Sequence, residues 1–177
     1  SNNSLYQYTL DENKKATIVS YSGTESSVVI NRIDGKYAIV GIADGAFAGN
    51  TNIKTVELYA SVKNIGKNAF YGCTSLETFN LRPNSSLEII EDSAFAGCTK
   101  LTGFSLPSSL KTIGSQAFYS CSSAAIDFSE ATSLQFIGDY AFAFCGTNAA
   151  QTTTVSLPQN LTEIGYGAFY GCLNLNA

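Results

Sequence analysis

The sequence predicts an α/β repeat solenoid, with a parallel sheet on one face, single-turn helices on the other, and an N-terminal β-hairpin cap. Three observations predict it. An Ala-Phe pair recurs, with the ring at Phe47, Phe70, Phe95, Phe118, Phe142 and Phe169, at spacings of 23, 25, 23, 24 and 27 residues. Self-similarity in that range marks a repeat array. An isoleucine stands five residues before each Phe, at Ile42, Ile65, Ile90, Ile113, Ile137 and Ile164. An alternating apolar stretch follows the early copies, as in "IKTVEL", "LETFNL" and "LTGFSL", the signature of a half-buried strand. One such unit cannot bury its own apolar side, but stacked units can.

Residues 1–40 read as a β capping segment. "LYQYTL" and "ATIVSY" flank the polar turn "DENKK", and "SVVI" and "YAIVGI" surround "NRIDGK"; both are hairpin signals. Residues 41–177 read as six repeats of 23–27 residues in one continuous domain, the last incomplete. Within each repeat the Phe segment reads as one helical turn. Asp44, Asp92, Ser115 and Asp139 stand where an N-cap would, and Gly49, Gly72, Gly97 and Gly171 where a helix would stop. Gly66, Gly114, Gly138 and Gly165 follow the isoleucine, a place that Ala43 and Glu91 take in other copies, so tight packing explains them better than a left-handed backbone. Strands follow, with Phe79 and Leu81 on one side and Thr78 and Asn80 on the other. Pro83, Pro107 and Pro158 lie past the paired stretch, where proline is tolerated. The fourth repeat, "AAIDF", is one residue tighter, and the fifth carries the insertion "GTNAAQTTT".

The pattern L-x-x-F-x-L in "LETFNL" matches the leucine-rich-repeat strand. The fuller unit "LKTIGSQAFYSC" resembles the BspA-like leucine-rich-repeat family, over about Ile39 to the C-terminus. The resemblance implies a right-handed superhelix and a surface or secreted protein of bacteria or some protists. It also implies adhesion and protein or matrix binding, without enzymatic activity.

Composition narrows the partners. The net charge is −4 with no basic cluster, which argues against nucleic acid and anionic membrane surfaces. No run of 18 apolar residues exists, so no membrane-inserted segment is expected. No signal peptide is visible, and Ser1 opens the chain without an initiator methionine, as expected of a processed product or excised fragment. Histidine is absent, which removes the commonest general base and metal ligand. No nucleophile–base pair, phosphate loop or helix-spaced carboxylate pair was found, so neither an enzyme nor a cofactor is expected. Asn2, Asn84 and Asn160 sit in glycosylation sequons that count only in a glycosylating host.

Cys73, Cys98, Cys121, Cys145 and Cys172 each follow the repeat Phe by three residues, with Asn50 at that place in the first copy. A disulfide framework would leave one thiol over. A metal site would want paired ligands and usually histidine. The favoured reading is that each thiol fills a small buried slot and stays reduced, successive copies lying too far apart to bridge. The residue after Phe alternates as Ala48, Tyr71, Ala96, Tyr119, Ala143, Tyr170. It reads either as a tyrosine stripe for a ligand or, preferably, as large-next-to-small packing.

On the open sheet face the expected outward residues are small and polar except for one mixed patch, Glu57, Tyr59, Asn80 and Arg82. Tyr and Arg are the types most often energetic at interfaces, while an ordinary solvated face is the competing reading. The expected function is non-enzymatic binding of an extracellular protein or glycan at a cell surface. The alternative is a spacer or scaffold segment of a longer surface protein with no ligand of its own. The last copy stops before its strand. Either a continuing solenoid or end-to-end self-association through residues near Leu157 and Phe169 to Leu175 is therefore expected.

Overall fold

The computed structural model describes residues 5–147, 153–154, 156–172 and 175–176. Its elements are all strands: β1 (Tyr6–Leu10), β2 (Ala16–Tyr21), β3 (Ser27–Ile30), β4 (Arg32–Ile33), β5 (Tyr37–Ile42), β6 (Thr55–Leu58), β7 (Asn64–Ile65), β8 (Thr78–Leu81), β9 (Ile89–Ile90), β10 (Gly103–Ser105), β11 (Thr112–Ile113), β12 (Ala125–Asp127), β13 (Phe136–Ile137), β14 (Thr153–Thr154), β15 (Glu163–Ile164) and β16 (Leu175–Asn176). They build a parallel β-solenoid. One sheet runs β1-β2-β5-β7-β9-β11-β13-β15, with β4 paired to β5. A second runs β12-β10-β8-β6-β3, and β14 pairs with β16. The repeat isoleucines are in register along the first sheet, Ile42 with Ile65, Ile65 with Ile90, Ile90 with Ile113, and so on to Ile164.

The expected single-turn helices are absent among the described residues, so the α/β reading is corrected. The Phe segments are chains of β-turns instead. In the first copy the Ala46 amide donates to the Ala43 carbonyl and the Asn50 amide to Phe47. The third turn residues, Gly45 and Gly49, have φ of 67° and 70°, as in type II turns. Every later copy repeats both positions with positive φ, including Asn68, Ser93, Gln116 and Tyr140. A left-handed residue at every fourth place stops an α-helix from propagating. The amides are also taken: Gly45, Phe47 and Gly49 donate to Lys67, Ala69 and Tyr71 of the next coil at 2.7–2.8 Å. The turns therefore stack as a ladder, and the expected N-caps serve their neighbours. Asp44 Oδ1 accepts from the Lys67 amide, Asp92 from Ser115 and Asp139 from Tyr166.

The glycines after isoleucine are explained by close approach. A Cβ on Gly114 would lie 2.5 Å from the Asp92 nitrogen, and one on Gly138 2.4 Å from the Ser115 nitrogen.

The N-terminal segment forms the expected β1–β2 hairpin, antiparallel. The second hairpin is shorter than its turn signal suggested. Only β4 folds back on β5, while "SVVI" joins the other sheet as β3, parallel to β6. β2 likewise runs parallel to β5. Tyr21 stands in line with the Phe column, its ring 5.1 Å from Phe47, and the Tyr6 ring meets Tyr21 at 4.9 Å, tilted by 40°.

That column is the core. Phe47, Phe70, Phe95, Phe118 and Phe142 are at most 1 % exposed, with successive centroids 4.8–5.3 Å apart and planes within 10°. Phe79 and Phe104, from the strands, meet it edge-on. Phe169 ends the stack 5.4 Å from Phe142 and is half-buried. β16 pairs in parallel with β14, so the last copy, expected to stop before its strand, carries a two-residue one at Leu175–Asn176. Most of the "GTNAAQTTT" insertion lies outside the described residues.

Candidate functional site

The second sheet presents its outward residues in register. Thr55 pairs with Thr78 and Thr78 with Gly103; Glu57 pairs with Asn80; Ser105 pairs with Asp127. Alternation sends Val56, Phe79, Phe104 and Ile126 inward, so the opposite set faces solvent. Among these, Glu57, Tyr59, Asn80 and Arg82 are brought together. The Arg82 guanidinium forms an ion pair with Glu57 and sits 5.1 Å from the centre of the Tyr59 ring, over its face. Asn80, in register with Glu57, is exposed beside them. The backbone fixes both partners: the Arg82 amide donates to Leu58, and the Tyr59 amide to Ile30. Arg82 is half-exposed and Glu57 less so, so the cluster is a surface feature with its charges already matched.

Next to it lies a depression of about 390 Å³, lined by Asn80, Gly103, Ser105, Ala125 and Asp127. It exists because Gly103 and Ala125 carry little or no side chain between longer neighbours. The sequence reading named Asn80 and expected small polar residues on this face but missed the hollow, although a glycine and an alanine at neighbouring outward positions, Gly103 and Ala125, signal it. Val29, 51 % exposed on β3, extends the same face and was missed for lying in the segment read as cap.

The cysteines are more than filler. Cys73, Cys98, Cys121 and Cys145 are buried, Cys172 is half-buried, and all five are free thiols. Each Sγ donates to the carbonyl of the Phe one coil earlier, at 2.9–3.2 Å, from Cys73 on Phe47 to Cys172 on Phe142. In the first copy Asn50 replaces the thiol, its amide donating to Gly23. Burial pushes the Cys73 thiol up to about 12 and the Cys172 thiol up to about 11. Successive coils do not stand apart as expected from the sequence: their turns are joined coil to coil by backbone hydrogen bonds. In this arrangement each thiol bonds to a backbone carbonyl of the preceding coil. Among the described residues no His/Cys/Asp/Glu group could hold a metal ion, and no helix is long and apolar enough to cross a membrane.

Tyrosines of the alternating series divide. Tyr71 and Tyr170 are 53 % and 61 % exposed, Tyr119 packs edge-on to Phe144 at 5.5 Å, and Ala96 and Ala143 are buried.

The family model for the BspA type leucine-rich repeat region matches residues 16–149 and 79–177, in six copies. The match begins inside the segment read as a cap. Among solved structures, the chain is similar to the T. pallidum leucine-rich repeat protein, with 27 % identity over 99 % of this chain and 90 % of that one, and a TM-score of 0.71. It is similar in fold to a leucine-rich cell surface protein of Faecalibacterium prausnitzii, with 24 % identity over 98 % of this chain, and a TM-score of 0.64. The pneumococcal vaccine antigen PcpA shares the fold at 22 % identity over 94 % of this chain, with a TM-score of 0.72. The chain spans 52 % and 45 % of the lengths of these last two. No curated protein matches the sequence.

Proposed function

The chain belongs to the BspA-type leucine-rich-repeat family, and from that premise we propose that it is a non-enzymatic binding module of a cell surface, engaging an extracellular protein or glycan through its open sheet. The observation that carries this reading is the Arg82–Tyr59–Glu57 cluster beside Asn80. The ion pair and the ring hold the guanidinium in one place before any ligand arrives. Ordering it in advance lowers the entropy lost on binding, and Tyr and Arg are the commonest binding hot spots. The adjoining hollow over Gly103 and Ala125 offers room for a protruding side chain or sugar. The surface location rests on the family and on the neighbour described as a cell surface protein.

The test is a binding screen of the folded chain against extracellular matrix proteins and a glycan array, repeated with Tyr59→Ala/Arg82→Ala. A ligand lost in the double variant supports the reading. A ligand retained at full affinity moves the site, and no ligand at all returns the spacer reading, in which the matched charges of the cluster merely solvate the sheet.

A further inference from the structure

The fifth coil departs from its siblings on the turn face. The two left-handed turn positions are glycine, asparagine, serine or glutamine in the first four coils and glycine in the sixth. In the fifth they are Tyr140 and Phe144, at φ of 54° and 59°. A bulky residue in that region is a genuine outlier, and such strain gathers where function requires a side chain. Both rings lean over the sixth coil at glycines: a Cβ on Gly167 would lie 2.6 Å from the Tyr140 ring, and one on Gly171 2.6 Å from Phe144. Tyr166 meets Tyr140 at 5.5 Å and 77°, and Tyr170 meets Phe144 at 5.4 Å and 88° and Tyr140 at 6.5 Å and 83°. With Tyr119 against Phe144, five aromatic rings form one patch. Tyr166 and Tyr170 are 77 % and 61 % exposed.

The charge of the part of the chain that carries the patch is one-sided. Every lysine and arginine of the chain lies at or before Lys111, balanced there by ten carboxylates. Residues 112–177 hold Asp127, Glu130, Asp139 and Glu163 and no cation, so the whole net charge of −4 sits in this part. Asp139 is exposed at the patch and, unlike Asp92 with its Lys67, has no ion pair among the described residues. Partial desolvation, then Tyr166, Asp139 and Tyr170, holds the Tyr140 phenol above its ordinary value.

We infer that the turn face of coils four to six is a second interaction surface, on which Tyr140, Phe144, Tyr166 and Tyr170, with Asp139, receive lysine or arginine side chains of a basic protein segment. Cations are drawn to tyrosine faces, and the exposed Asp139 in a net-acidic C-terminal part steers a basic partner and repels an acidic one. The site is distinct from the sheet face, and either can fail without the other.

The test is fluorescence anisotropy of a labelled lysine octapeptide with the folded chain at low and moderate salt, beside a glycine–serine peptide of equal length and maltohexaose. The lysine peptide should bind, more weakly as salt rises. Tyr166→Ala/Tyr170→Ala should weaken it by about two- to five-fold per ring removed, and Asp139→Asn should weaken it also. Tyr71→Ala, exposed on the same face but outside the patch, should leave it unchanged. Tyr140→Gly should keep or raise the melting temperature, since glycine suits the conformation, while weakening binding. Equal binding of the uncharged peptide, binding of the oligosaccharide alone, or full affinity in the Tyr166/Tyr170 variant overturns the proposal. So does a Tyr140→Gly variant that melts earlier but binds normally.

Discussion

Cys121 Sγ donates to the backbone carbonyl of Phe95, one coil earlier, at 3.1 Å, and the same carbonyl accepts the Cys98 amide of its own turn. The thiol therefore occupies the second lone pair of a carbonyl that the turn alone leaves half-satisfied. The relationship repeats in all five cysteine-bearing coils, and it ties each coil to the last through a side chain as well as through the backbone.

Cys121 lies at 0 % exposure, so its replacements separate packing from bonding. Cys121→Ser keeps the donor but trades the larger, apolar sulfur for a hydroxyl, and should cost about 1 kcal/mol, the scale of one buried methylene. Cys121→Val keeps an apolar filling but overpacks the slot and loses the donor, and should cost about 1–3 kcal/mol. Urea melts of the two variants give the order; valine milder than serine would mean that the slot is filled only for its volume.

High pH should loosen the fold through these same thiols. A thiol whose folded value is raised keeps its proton in the folded state after the unfolded chain has begun to lose it. The stabilisation is then complete below the unfolded value and is lost as pH rises through the folded one. Cys73 rises from 9.0 to about 12 and Cys172 to about 11, both chiefly by burial. Melting temperature should be level to about pH 8 and should fall between about pH 9 and 12, and replacing Cys73 by alanine should flatten part of that fall. A thiol reagent at neutral pH should find few thiols in the folded chain and five after denaturation.

Phe118 lies between Phe95 and Phe142 at 5.1 and 5.3 Å with Phe104 edge-on to it, and it is 0 % exposed. Phe118→Ala should cost about 3–5 kcal/mol. Phe169 has a stacked neighbour on one side and is half-buried, so Phe169→Ala should cost clearly less. Chemical denaturation of both variants decides it; equal losses would place the stability elsewhere than in the ring column.

Gly138→Ala should destabilise by at least about 1–3 kcal/mol, because its Cβ would meet the backbone of Ser115 and Gly114 at 2.4–2.6 Å. Gly35→Ala faces no atom within 4 Å but takes on a left-handed φ of 65°, which costs about 1–2 kcal/mol. Thermal melts that show Gly138→Ala as the milder of the two would remove close approach as the reason for the glycine.

The sequence by itself determined the repeat, its period and its apolar column. Each copy had to bury one Phe, one Ile and one Ala that no single copy can cover, and stacking is the one way to cover them all. It also determined which polar residues share the outward face of the strands, because Glu57, Asn80 and their neighbours follow from a period of two. Tertiary structure decided the rest. Asp44 and Gly49 read locally as the two ends of a helix, but the amides between them bond to Lys67, Ala69 and Tyr71, and a local pattern carries no record of hydrogen bonds to residues 22 positions away. "SVVI" looked like the partner of "YAIVGI" across a turn, yet β3 found a longer ladder on β6, where Val28 and Ile30 are buried. The Arg82–Tyr59 contact and the Tyr140–Tyr166 pair join residues 23 and 26 positions apart. Their proximity exists only because the coils stack at the spacing of a backbone hydrogen bond, which sets the distance between one copy's side chains and the next.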